Sequence, residues 1–111
     1  MIDAKQKRGD SFKWLGVIAC DPDPDFIDSA VAIESTLRKG SGGIVVQPLV
    51  VSKGARSTEN GLYVIPFELT ATYAQTAAWP LGTLAFDVQV TYGSERISSR
   101  SIEISVTEDD T

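Results

Sequence analysis

Histidine is absent from this 111-residue chain, and cysteine occurs once, at Cys20. Without histidine, the triads, dyads and metal sites built on imidazole are excluded. One cysteine cannot close an internal disulfide, so the fold does not depend on oxidation. Cys20 follows an apolar run and precedes an acidic loop, surroundings that disfavour a nucleophilic thiolate, and an inert thiol is expected. Long hydrophobic runs are also missing. The longest, Leu15 to Cys20, is strand-sized and far short of the ~18 residues of a membrane span. The N-terminus lacks the apolar core of a signal peptide. Basic residues are the minority, 10 against 15 acidic, for a net charge of −5. That balance argues against general nucleic-acid binding, which needs clustered Lys and Arg to neutralise phosphate.

What is present reads as one folded domain. Hydrophobic residues make up 42% of the chain and charged residues 23%, values of a globular chain rather than a disordered one. A domain of this length buries about two-thirds of its unfolded surface, enough for one core. Periodicity is mostly of the two-residue kind. From Leu84 to Tyr92 the even positions are Leu, Phe, Val, Val and Tyr, and the odd ones Ala, Asp, Gln and Thr, the pattern of a half-buried strand. Ile102, Ile104 and Val106 alternate with Ser101, Glu103 and Ser105, while Ile97 is out of phase, which places an irregularity around Ser98-Ser99. Tyr63, Ile65, Phe67 and Leu69 form another inward set and leave Pro66 outward. Proline cannot donate to a ladder, so this strand is expected to have a free side there, at an edge or a bulge. Phe12, Trp14 and Ile18 share one phase, and Val31, Ile33 and Leu37 another. Ile44-Val45-Val46 and Leu49-Val50-Val51 flank Gln47-Pro48 as one interrupted strand or two short ones. About seven strands with turns every ten or so residues predict an all-β antiparallel sandwich.

Turn chemistry agrees with this count. Gly40-Ser41-Gly42-Gly43 and Asn60-Gly61 offer positive φ. Asp21-Pro22-Asp23-Pro24-Asp25 is a rigid polar loop, and its prolines, with Phe26 where a glycine turn is needed, argue against a calcium loop. Lys53 to Asn60 reads as a flexible connection. Arg8-Gly9-Asp10 reads as a turn before the Phe12 strand rather than an adhesion tripeptide. Thr70 to Trp79 is Ala-rich, with Thr70 or Thr72 able to cap it and Pro80 to stop it. It is expected as one short helix before the penultimate strand, either plugging the end of the sandwich or presenting Tyr73 and Trp79 to a partner.

These residues carry a family resemblance. Arg8-Gly9-Asp10-Ser11-Phe12 opens a strand, and Ile27-Asp28-Ser29-Ala30-Val31 enters the next after an Asp/Pro loop. Asn60-Gly61-Leu62, an Ala/Thr-rich helical turn, Leu81-Gly82 and Phe86-Asp87-Val88-Gln89-Val90 follow in order. From about Lys7 to Val106 the chain resembles the small immunoglobulin-like domains of tailed-bacteriophage structural proteins, of the kind found at the N-terminus of baseplate upper proteins. The resemblance implies an immunoglobulin-like sandwich over residues 8–107, between an N-terminal arm (1–7) and an acidic tail (108–111). It implies a non-enzymatic virion protein with no cofactor or metal, made in the host cytoplasm and docking on other virion proteins in several symmetric copies. No fibre segment follows Thr111, so an adaptor, accessory or decoration role on tail, baseplate, connector or capsid is expected. Neither membrane nor nucleic acid is an expected partner. Lys5, Lys7 and Arg8 of the arm, Pro66 on its free strand, and Tyr73 and Trp79 are the candidate partner contacts. The alternative is a carbohydrate-binding module for a surface glycan. Its stacking platform would come from Trp14, Trp79 or Tyr92, of which only Trp79 escapes the inward phase. A small enzyme is disfavoured by the missing histidine and the lack of a clustered acid/base set.

Overall fold

The computed structural model describes residues 2–40 and 43–108. Met1, the centre of the Gly40–Gly43 turn, and Asp109 to Thr111 of the acidic tail lie outside them. The described residues form twelve strands and one short α-helix, with a 3-10 turn at Asp28–Ala30. In chain order these are β1 (Ala4–Lys7), β2 (Phe12–Cys20), β3 (Val31–Glu34), β4 (Thr36–Arg38), β5 (Val45–Pro48), β6 (Val50–Lys53), β7 (Ser57–Glu59) and β8 (Leu62–Ala71). The helix α1 (Tyr73–Thr76) is followed by β9 (Gly82–Phe86), β10 (Gln89–Tyr92), β11 (Glu95–Ser98) and β12 (Ile102–Thr107). One layer is the sheet β1-β12-β9-β4-β5, continued at one end by β11-β10-β3. The other is β2-β8-β6, with β7 also paired to β8. The orders β12-β9-β4-β5 and β2-β8-β6 are the G-F-C-C′ and B-E-D orders of an immunoglobulin-like sandwich.

The alternating sets meet between these layers. Phe12, Phe67 and Leu69 of one sheet pack with Leu37, Leu84, Phe86, Ile104 and Val106 of the other. Antibody domains join strands B and F with a disulfide. Here aromatic rings span the same gap: Phe86 of β9 makes edge contacts with Phe12 and Trp14 of β2 at 5.9 and 5.6 Å, an arrangement favoured by ring quadrupoles. The β7–β8 hairpin turns on Asn60-Gly61, with φ of 52° and 77° and Glu59 opposite Leu62. These are the two left-handed positions of a type I′ turn, whose twist matches that of the strands.

Twelve strands replace the expected seven for two reasons. Three of the expected strands break in the middle, and β1 and β7 lie in segments expected to be unpaired. β3 gives way to β4 at Ser35, β9 to β10 at Asp87-Val88, and β11 to β12 at residues 99–101. The breaks lie side by side and are sewn together. Ser35 Oγ donates to the Asp87 carbonyl at 2.7 Å. The Val88 and Ser99 residues exchange bonds: Val88 N–H donates to Ser99 Oγ at 2.9 Å and Ser99 N–H to the Val88 carbonyl at 2.8 Å. The irregularity expected near Ser98-Ser99 is one end of this seam.

The N-terminal segment is not an arm. β1 runs parallel to β12, Ala4 opposite Ile104 and Lys7 opposite Thr107, because the free edge of β12 supplies the backbone partners its four residues need. The Lys53–Asn60 connection is likewise partly strand, with Ser57 paired to Val64. The helix is shorter than the Ala-rich stretch, since Thr70 and Ala71 finish β8 opposite Lys13 and Phe12. Thr72 is its cap in a full capping box with Gln75.

Candidate functional site

The six expected contact residues do not converge. Lys5 and Lys7 are exposed along β1 at the edge of one sheet, whereas Pro66 is exposed on the outside of the other. Arg8 is turned inward: its guanidinium donates to the Trp79 carbonyl at 3.4 Å and pairs with Glu108. Gly9 N–H donates to Thr76 Oγ1 at 3.0 Å, and Thr76 Oγ1 donates to the Asp10 carbonyl at 2.7 Å. Arg8-Gly9-Asp10 is therefore a turn strapped to α1. Tyr73 is 67% exposed at the start of α1, but Trp79 is only 1% exposed. Trp79 is a correction: it packs edge-on against Phe12 at 5.6 Å and its Nε1–H donates to Gln47 Oε1 at 2.6 Å. An indole with its one polar atom satisfied is core, not contact surface.

Pro66 is a further correction to the edge alternative. β8 is central, paired to β2 on one side and to β6 and β7 on the other. Pro66 falls between the last β6 pair, at Phe67, and the first β7 pair, at Val64. There the chain loops outward at Gly54, whose N–H donates to the Pro66 carbonyl at 2.8 Å. The missing proline N–H faces this gap, so no ladder bond is lost.

The stacking platform also fails. Trp79 is buried, Trp14 packs against Phe86, and Tyr92 is stacked on Phe26 at 5.0 Å with 6° between the rings. Phe26 and Tyr63 also meet edge to face, and the Arg56 guanidinium sits 4.1 Å from the Tyr63 ring centre. Tyr92 Oη accepts from Ile27 N–H at 3.1 Å. These rings close one end of the sandwich. In the neighbouring acidic loop, Asp23 Oδ1 accepts from Asp25 N–H at 2.9 Å, a turn-forming contact.

Two surfaces stand out, one that includes Pro66 and one that contains none of the six candidate residues. The first is the outside of β2-β8-β6. Leu15 is 67% exposed, Val17 62% and Val50 57%, and Val17 lies directly opposite Pro66. Leu15, Val17, Ser52, Lys53, Gly54, Pro66 and Glu68 line a depression of about 480 Å³. The signal was in the sequence: Leu15-Gly16-Val17-Ile18 is apolar in both phases, so a strand that buries one phase must expose the other.

The second is a polar groove of about 370 Å³ on the outside of the opposite sheet, lying over the seam. Glu34, Thr36 and Arg38 form one wall, Ala85, Asp87 and Gln89 the floor, and Ser99 and Ser101 the other wall. Gln89 pairs with Glu34, and Ala85 with Arg38, which puts these side chains on one face. The Arg38 guanidinium donates to the Gly43 carbonyl at 3.3 Å, and Arg96 donates to Gln89 Oε1.

Beside the groove, Asp3 ties β1 to β12. Its carboxylate accepts from the Arg100 guanidinium at 3.0 and 3.1 Å and from Glu103 N–H at 2.9 Å. The Arg100 bond and then the backbone bond hold the Asp3 carboxyl below its usual range, and Asp3 raises Arg100.

No protein-family model matches the chain, and no curated protein matches it.

Proposed function

We propose that the chain is a non-enzymatic structural component of a bacteriophage virion, an immunoglobulin-like adaptor, accessory or decoration module. It docks on a tail, baseplate, connector or capsid protein and is carried in several symmetric copies. Its sequence resemblance to phage structural domains and its strand order support this reading. One observation carries the docking: the apolar outer face of β2-β8-β6, where Leu15, Val17, Val50 and Pro66 stand in solvent. A central apolar patch inside a polar rim is the anatomy of a protein interface, and Lys13, Ser52 and Glu68 supply the rim. The occupant is a larger protein of the same particle, presenting an apolar patch of its own. Repeated copies would turn a modest contact into stable attachment.

The test is the protein content of purified particles. The native chain is expected in them at a fixed copy number. The double variant Leu15→Asp/Val17→Asp, whose thermal midpoint should stay near the native value because both side chains are exposed, is expected to be missing. Particles without the native chain, or undiminished incorporation of a folded double variant, would overturn the proposal.

A further inference from the structure

We infer that the groove over the seam is a binding site for a neutral polyhydroxylated ligand, a saccharide of one or two rings. This goes beyond the docking reading and does not rest on it, since the groove lies on the outside of the other sheet.

The argument starts from what the groove offers. Glu34 and Asp87 bring two carboxylates that make no side-chain hydrogen bond or ion pair among the described residues. Arg38 brings a guanidinium of which one nitrogen is held by the Gly43 carbonyl. Gln89 brings an amide whose oxygen is taken by Arg96, leaving its N–H donors. Thr36 and Ser101 bring hydroxyls that both donate and accept.

That mixture selects the ligand class. An anion entering the groove would meet two carboxylates, and a simple cation would meet Arg38. An apolar group would strip water from three charged heads and return nothing. A ligand dense in hydroxyls satisfies both signs. Adjacent hydroxyls donate to Glu34 and Asp87, and their oxygens accept from Arg38, Gln89, Thr36 and Ser101. The volume, about 370 Å³, sits at the small end of the range for ligand pockets, which limits the occupant to one or two rings.

The seam builds the site. Breaks in three neighbouring strands lie at one level under the groove, and the small Ala85 on the floor leaves depth beneath the walls. Glu34, Thr36, Arg38 and Gln89 stand on strands, and Asp87, Ser99 and Ser101 at strand ends, so these polar heads are held by backbone pairing. Phe86 is the aromatic residue in the lining, and its ring is turned into the core, so no ring is offered for stacking and the affinity is expected to be weak.

The experiment is a backbone-amide NMR titration of the full chain. The probes are methyl glucoside, methyl galactoside, methyl mannoside, N-acetylglucosamine and maltose, each raised to 100 mM. At least one is expected to shift the amides of Thr36, Ala85, Gln89 and Ser101 while leaving those of Asp21, Asp23 and Asp25 unmoved. Glu34→Gln and Asp87→Asn change only outward side chains, and each is expected to weaken that response by roughly tenfold, the usual scale for losing a charge-assisted hydrogen bond. Gln89→Ala serves as a third variant should Asp87→Asn disturb the seam. No groove shift with any probe, or shifts that persist at native strength in the charge variants, would each overturn the inference.

Discussion

The ring of Phe67 lies where a side chain on Gly16 would have to go. The two residues are directly paired across β2 and β8, and a Cβ built on Gly16 would sit 2.8 and 2.9 Å from Cε1 and Cε2 of that ring, with Cζ nearer still. The aromatic ring covers the bare glycine backbone, a pairing known to rescue glycine in strands. Phe67 is only 6% exposed, so it cannot swing away freely. Gly16→Ala is therefore expected to cost about 1–3 kcal/mol through overpacking, read from the urea midpoint. In a Phe67→Leu background the same change should cost less, and a double-mutant cycle would show the coupling. Additive losses would mean that the ring does not carry the effect.

Burial of Trp79 gives a prediction opposite to that of a surface anchor. Trp79→Ala should destabilise by ~3–5 kcal/mol, as for other large core truncations. Trp79→Phe keeps much of the packing but deprives half-buried Gln47 of its donor, for ~1–3 kcal/mol. In a Trp14→Phe variant the remaining emission should be blue-shifted and shielded from acrylamide. Strong quenching would place the indole at the surface.

How much of this was legible in the sequence differs from element to element. The inward sets of β2, β8, β9 and β12 were readable because one phase of each is apolar throughout. The breaks were not. At Ser35 and Ser99 the stabilising groups are hydroxyls reaching other strands, 52 and 11 residues away in the chain, and alternation carries no trace of such contacts. β1 was missed because its short polar run gains order only from the β12 edge. Trp79 was misplaced because helical spacing was applied to a residue beyond the end of α1. The exposed face of Leu15 and Val17 follows from the phase of Phe12 and Trp14, while the groove exists only once three broken strands lie side by side.

The seam can be tested through its hydroxyls. Ser35 is 5% exposed and its Oγ is the donor to the Asp87 carbonyl. Ser35→Ala should cost about 1 kcal/mol by removing the donor of that part-buried carbonyl. Ser99→Ala removes the acceptor of Val88 N–H and should cost a similar amount. Amide exchange at Val88 should quicken more than at Ile104, which stands in unbroken β12. Equal changes at both would mean global unfolding rather than local loosening of the seam.

The Asp3–Arg100 pair makes the attachment of β1 sensitive to acid. Asp3 has a side chain only 10% exposed, and two guanidinium bonds and one backbone N–H converge on it. Its folded pKa lies below the unfolded value, which is about 3.9 for aspartate. The carboxylate therefore contributes its full stabilisation above that unfolded value and loses it as pH falls through the lower, folded one. Asp3→Asn should lower the thermal midpoint at pH 7, and its gap from the native chain should close as the pH drops below about 4. Arg100→Ala should do the same, because each residue is the other's partner. In both variants amide exchange at Lys5 and Lys7 should rise relative to Ile104, since β1 is held at its start by this pair and at its end by the Arg8 N–H bond to the Thr107 carbonyl. A gap that stays constant from pH 7 to pH 2.5 would show that the ion pair does not fasten the strand.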